Sequence, residues 1–118
     1  MATIPYVQVS IPQNDAVGAT GVVYWPNMAN GDTGQAMEMF QYADRTVQVF
    51  GTFGAAGTAT INGSLDGTNF PTLNDPNGNA LSLTTAKIET VLEATRYIRP
   101  VVTGDGTTSL TVYLQFRG

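Results

Sequence analysis

Oxygen-bearing side chains concentrate in two neighbouring stretches, Ser64-Leu65-Asp66-Gly67-Thr68-Asn69-Phe70 and Asn74-Asp75-Pro76-Asn77-Gly78-Asn79. Two chemistries use such groups. Calcium takes about six to eight oxygen ligands, so a Gly-containing loop of this composition is a candidate cage. The spacing departs from the regular calcium loop, however, and its closing bidentate Glu is missing. Asn and Asp in such loops ordinarily make Asx turns with their own backbone, and that is the reading adopted. Asp66 and Asp75 could also flank a sugar bond as a glycosidase pair. Both sit in turn motifs, and the chain is short for enclosing a substrate cleft.

The chain has no His and no Cys. Ser–His and Cys–His nucleophile pairs are therefore impossible, and so are the usual zinc sites. The expectation is a protein that binds rather than catalyses, with no catalytic, cofactor-binding or metal-ligating residue and no cofactor.

Arginine is more informative. In Thr95-Arg96-Tyr97-Ile98-Arg99-Pro100-Val101, a strand puts Arg96 and Arg99 on opposite faces, because the side-chain period is two. One guanidinium then starts on the inner side, where it needs a carboxylate or several carbonyls. Two readings stand. One Arg ties the 64–79 loops to this strand, with Asp66 or Asp75 as its partner. Alternatively, an Arg points outward to a partner protein.

The elements that must position these residues are strands. Apolar and polar residues alternate over 4–11, 20–25, 45–53, 57–64 and 108–116, and further runs at 35–42, 80–84 and 95–103 bring the number to eight. In 45–53, Val47, Val49, Gly51 and Phe53 share one face. In 108–116, Leu110, Val112, Leu114 and Phe116 point inward. Pro26 ends the second run. The 35–42 segment also fits the start of a helix, and 85–93 fits a short helix or a strand equally. Five Asn-Gly or Asp-Gly pairs (30–31, 62–63, 66–67, 77–78, 105–106) supply the positive φ of tight turns. Gly54–Gly57 is read as the hairpin joining 45–53 to 57–64. Seventeen Thr add β propensity. The expected fold is an all-β, two-sheet antiparallel sandwich of jelly-roll type, one domain over residues 1–118 with one core.

Only 12% of the residues are charged, and the net charge is −4. That charged fraction is about half the usual level. Either much of the surface faces other protein, or Thr, Ser and Asn keep it soluble. The five cations are scattered, whereas phosphate backbones and anionic membranes need clusters, so neither nucleic acid nor membrane is expected as a partner. No run approaches the ~20 apolar residues of a membrane span, and the first residues lack the pattern of a secretory signal. Tyr24, Trp25 and Phe50 are candidate surface anchors, although a lone Trp fits a sandwich core as well. Edge strands are natural contact elements. The expected partner contacts are Met1, Ile4, Pro5, Tyr24, Trp25 and Arg45; the loop-and-strand framework comprises Asp66, Gly67, Asp75, Arg96 and Arg99.

Arg45-Thr46-Val47-Gln48-Val49-Phe50-Gly51-Thr52-Phe53-Gly54, then Ala59 through Phe70, then Arg96-Tyr97-Ile98-Arg99-Pro100 with Gly104 through Val112, resembles a family of tailed-phage structural proteins. The likeness covers residues 45–118 and leaves 1–44 unmatched. It implies a capsid decoration, or cement, protein: a jelly-roll or β-sandwich fold, assembled in the bacterial host cytoplasm. As a dimer or trimer on the outer virion shell, it would bridge subunits of the major capsid protein. A tail or baseplate component is the alternative within the virion. Gly63-Ser64-Leu65-Asp66-Gly67 and Arg96-Tyr97-Ile98-Arg99 also resemble discoidin-type jelly rolls, implying a carbohydrate-binding module. The long apolar spikes that carry ligand specificity there are absent.

Overall fold

The computed structural model describes residues 2–9, 20–39 and 42–117. Their strands, in chain order, are β1 (Thr3–Ile4), β2 (Val7–Val9), β3 (Thr20–Met28), β4 (Thr33–Gly34), β5 (Met37–Glu38), β6 (Asp44–Thr52), β7 (Thr58–Ser64), β8 (Ser82–Leu83), β9 (Lys87–Thr90), β10 (Tyr97–Thr103) and β11 (Ser109–Arg117). One sheet runs β1-β4-β10-β7-β8, with β5 also on β10; the other runs β2-β3-β11-β6-β9. Treating β4 and β5 as one interrupted strand and counting from β3, the sheets read 1-8-3-6 and 2-7-4-5. That interleaving is the jelly roll, in which successive strands alternate between the two sheets except for the fourth and fifth, which pair with each other. The protein is an all-β, two-sheet sandwich of this type. Its pairings are antiparallel except β1 on β4, where the N-terminal arm joins in parallel.

Alternation does what the residues require. Leu110, Val112, Leu114 and Phe116 are buried along β11, and Val47 and Val49 along β6. They meet Ala59 and Ile61 of β7 and Ile98 and Val102 of β10 in one core between the sheets. Burying an aliphatic side chain of this size contributes roughly 1.5–3 kcal/mol, which makes slippage of β11 by one residue prohibitive.

Of the readings open for 85–93, the strand is the one found: β9, paired with β6 through Gln48 and Ile88. Other expectations need correction. Gly54–Gly57 joins no hairpin: β6 and β7 lie in opposite sheets, so the turn carries the chain across the sandwich and both strands bury their inner faces. Pro26 does not end β3, which continues to Met28 past a register shift opposite Leu110–Val112. A bulge tolerates a residue with no N–H to give. Gly63 lies inside β7 rather than in a turn; a Cβ there would come within 2.6 Å of Thr95 Oγ1 and 2.8 Å of Leu73, so the glycine permits close packing. The edges are short: two residues each in β1 and β8, three in β2, four in β9. Short edges discourage strand addition. The 4–11 run is described only to Val9, and Phe40 of the 35–42 run also lies outside the described residues.

Candidate interaction surfaces

The acidic loops are closed on themselves. Asp66 Oδ1 accepts the N–H groups of Thr68 and Asn69 at 2.8 and 2.9 Å, and the Ser64 hydroxyl at 2.8 Å; Asn69 Nδ2 donates to Oδ2 at 2.8 Å. The N–H of Asn69 first, then that of Thr68 and the Ser64 hydroxyl, hold this carboxyl well below its ordinary range. Asp75 Oδ1 accepts from the N–H groups of Asn77 and Asn79 at 2.9 and 3.0 Å, and Asn79 N–H is the main cause of its lowered pKa. Gly67 and Gly78 take the positive φ these turns demand, +78° and +86°. Asp105 repeats the device: the Thr107 hydroxyl, then its N–H and that of Ala55, bring its carboxyl down to about 2. Among the described residues no group of three His, Cys, Asp or Glu could hold a metal ion.

Arg45 is the buried cation, 2% exposed. Its Nε donates to Tyr42 O at 2.9 Å; Nη1 donates to Thr95 Oγ1 at 3.1 Å and Glu93 O at 3.4 Å; Nη2 donates to Met39 O at 3.3 Å and to Thr95 O. Carbonyl dipoles replace a carboxylate, and burial lowers its pKa without discharging it. Arg45 is thus enclosed within the domain, not presented at the surface as a partner contact would require. It ties Met39 and Tyr42 to Glu93 and Thr95, with the Thr95 hydroxyl donating onward to Tyr97 O at 2.7 Å. A signal for this existed: extending the Val47–Val49 alternation back two residues puts Arg45 on the buried face. Glu93, which accepts from Asn74 N–H and Nδ2 at 2.8 and 2.7 Å, had no such signal, because its partner lies in another loop.

Trp25 is also internal, 1% exposed, with Nε1 donating to Gln35 O at 3.0 Å and the Tyr6 ring edge-on at 6.2 Å. The core reading of this residue holds and the anchor reading does not. The arm is stitched down through Ala2 N–H to Asp32 Oδ1, Thr33 N–H to Ala2 O and Gln35 N–H to Ile4 O. Ile4 packs against the core, Pro5 is exposed, and Met1 lies outside the described residues.

The arginine pair behaves differently from expectation. β10 begins at Tyr97, so Arg96 precedes it, and the inner positions are Ile98, Pro100 and Val102. Arg96 meets Glu38 at 3.5 Å and lies 5.0 Å from the centre of the Tyr97 ring. Arg99 sits on the outer face with its guanidinium 3.7 Å from the centre of the Phe70 ring. It does reach the 64–79 loops, but through Phe70, not through Asp66 or Asp75, whose oxygens are already taken. Its Nε is buried with no hydrogen-bond partner.

Opposite, the outer face of the five-stranded sheet carries Tyr24 stacked on Tyr113, centroids 4.8 Å apart, with Phe50 at 5.7 Å from Tyr113. Tyr24 thus stays at the surface beside Phe50, where an anchor must be.

No protein-family model matches the chain, and no curated protein matches it by sequence. One solved structure, a cupin domain from Bordetella pertussis Tohama I, aligns with 100% of this chain and 99% of its own, at 15% identity and a TM-score of 0.47. A likeness of that degree says nothing of chemistry.

Proposed function

We propose that this chain is a structural virion protein. It decorates the outer surface of a tailed-phage capsid as a homo-oligomer and stabilises the shell by bridging major capsid subunits, without catalysis or cofactor. The likeness of residues 45–118 to decoration proteins supports this, and one structural observation carries it. Lys87, Arg96 and Arg117 each have a carboxylate, and Arg45 has its carbonyls. Arg99 alone of the five cations has neither among the described residues. A guanidinium stacked on an aromatic ring at a surface, its fork unmet, is the kind of anchor that dominates protein–protein contacts. The low overall charge fits a surface made to be covered by protein.

The test is co-sedimentation of the purified protein with expanded and with immature shells of the phage that encodes it. Binding to expanded shells alone is expected, with Arg99→Ala at least about tenfold weaker and its melting temperature within about 2 °C of wild type. No sedimentation with either shell, or retention of the isolated protein on a sugar matrix instead, overturns the reading.

A further inference from the structure

Cross-strand register sets up two complete rows on the outer face of the five-stranded sheet. The first runs Val7–Tyr24–Tyr113–Gln48–Ile88 and the second Val9–Val22–Gln115–Thr46–Thr90. Neither row contains a charge, on a chain of net charge −4. Among the described residues the face ends in charge at one rim, where Arg117 meets Asp44 at 3.0 Å. Val7 and Phe50 are each 40% exposed and Ile88 63%, far more than large apolar groups on an inner face. Contiguous exposed apolar surface of this kind marks a contact site.

We infer that this face pairs with the same face of a second copy, about a two-fold axis running along β11. The first row is the reason. Reversed about its central Tyr113, it lays Ile88 of one copy on Val7 of the other, Tyr24 on Gln48, and Tyr113 on itself. Apolar ends meet apolar ends, as an isologous contact requires. The second row reversed sets Thr90 and Thr46 on Val9 and Val22, so methyl groups meet methyl groups. Two acidic copies can approach here because the approaching surfaces are neutral. The area is modest. Two complete rows about 7 Å apart across five strands about 4.8 Å apart, with the shorter Thr111–Phe50 row beside them, cover about 400 Å² on each copy. Together the copies bury about 800 Å², in the range of weak and transient contacts. That predicts a reversible dimer with a micromolar dissociation constant, not an obligate one. The inference rests on the oligomer in the proposed function and names its surface; its test needs no shell, so either can fail alone.

The experiment is sedimentation equilibrium of the isolated protein from about 1 to about 500 μM. The 12.5 kDa chain is expected to shift reversibly to twice that mass. Val7→Lys and Ile88→Glu, both on exposed edge positions, should each weaken dimerisation at least about tenfold while melting like the wild type. Mixed together, the two variants should recover a dimer, because the axis brings position 7 of one copy against position 88 of the other. Thr60→Lys, on the other sheet, should change nothing. A wild type that stays monomeric throughout overturns the inference. So does an oligomer indifferent to Val7→Lys and Ile88→Glu, or a mixture that fails to recover association.

Discussion

Replacing Arg45 by methionine tests whether the carbonyl cage holds the end of the sandwich. Methionine fills similar space but removes every donor. The carbonyls of Met39, Tyr42, Glu93 and Thr95 and the Thr95 hydroxyl then lose a charged partner. Hydrogen bonds to a charged group contribute about 1.5–3 kcal/mol each but do not add, and breaking a buried charged set costs about 3–5 kcal/mol. Two effects reduce this. The guanidinium no longer has to be desolvated, and water can reach the carbonyls nearest the surface. A net loss of about 3 kcal/mol follows. For a chain of 118 residues the unfolding entropy near the melting temperature is about 0.25 kcal/mol/K, so Arg45→Met should melt about 12 °C lower by calorimetry. Lysine, which keeps the charge but not the fork, should recover about half. A methionine variant melting within about 3 °C of wild type would refute the cage as a structural element.

Three further outcomes are expected. Gly51 sits at φ +131°, where a Cβ would lie 2.4 Å from Ser109 O; Gly51→Ala should lose roughly 1–3 kcal/mol in urea denaturation, and an unchanged midpoint would show that β6 and β11 can separate freely there. Asp105 has a folded pKa of about 2 against an ordinary 3.8, so its contribution is present above about pH 4 and lost as pH falls toward 2; Asp105→Asn should flatten the melting temperature across that window, and a curve as steep as wild type would contradict the assignment. The single Trp25, being internal, should emit at short wavelength and resist iodide quenching, whereas a red-shifted, readily quenched emission would place it at the surface.

Strands were legible wherever one face is buried, because a two-residue period leaves a mark that burial enforces. β11 and β6 lie where alternation puts them. What alternation cannot encode is partnership. β6 and β7 follow one another through a glycine turn, yet each pairs with strands dozens of residues away, so a hairpin and a sheet-to-sheet crossing look alike in sequence. Asn62-Gly63 misleads for a related reason: the glycine answers a steric demand from Leu73 and Thr95, which only tertiary structure brings close. The site was less legible than the fold. Asp66 and Asp75 sit in the turns that their composition announces. Arg99 stands out in the sequence, but its ring partner does not, since Phe70 reaches it across a loop. Arg45 was legible in principle and misread as a surface residue, because a cation at the end of a strand is usually exposed. Here the carbonyls of Met39 and Tyr42 on one side and of Glu93 and Thr95 on the other close over it.

The pairing of β3 with β11 has a kinetic consequence. Val23 lies opposite Leu114, and Val112 joins Trp25 on one side and Val49 on the other, so the central strand of this sheet follows both of its neighbours in chain order. Until residues 109–117 are available, β3 and β6 have no common neighbour, and the inner faces of both stand open to water. Closing a loop of that length costs entropy before any contact repays it, and folding in milliseconds to seconds is the expected regime. During that interval the nascent chain is at its most adhesive, and a deletion that removes β11 should yield an aggregate rather than a smaller sandwich.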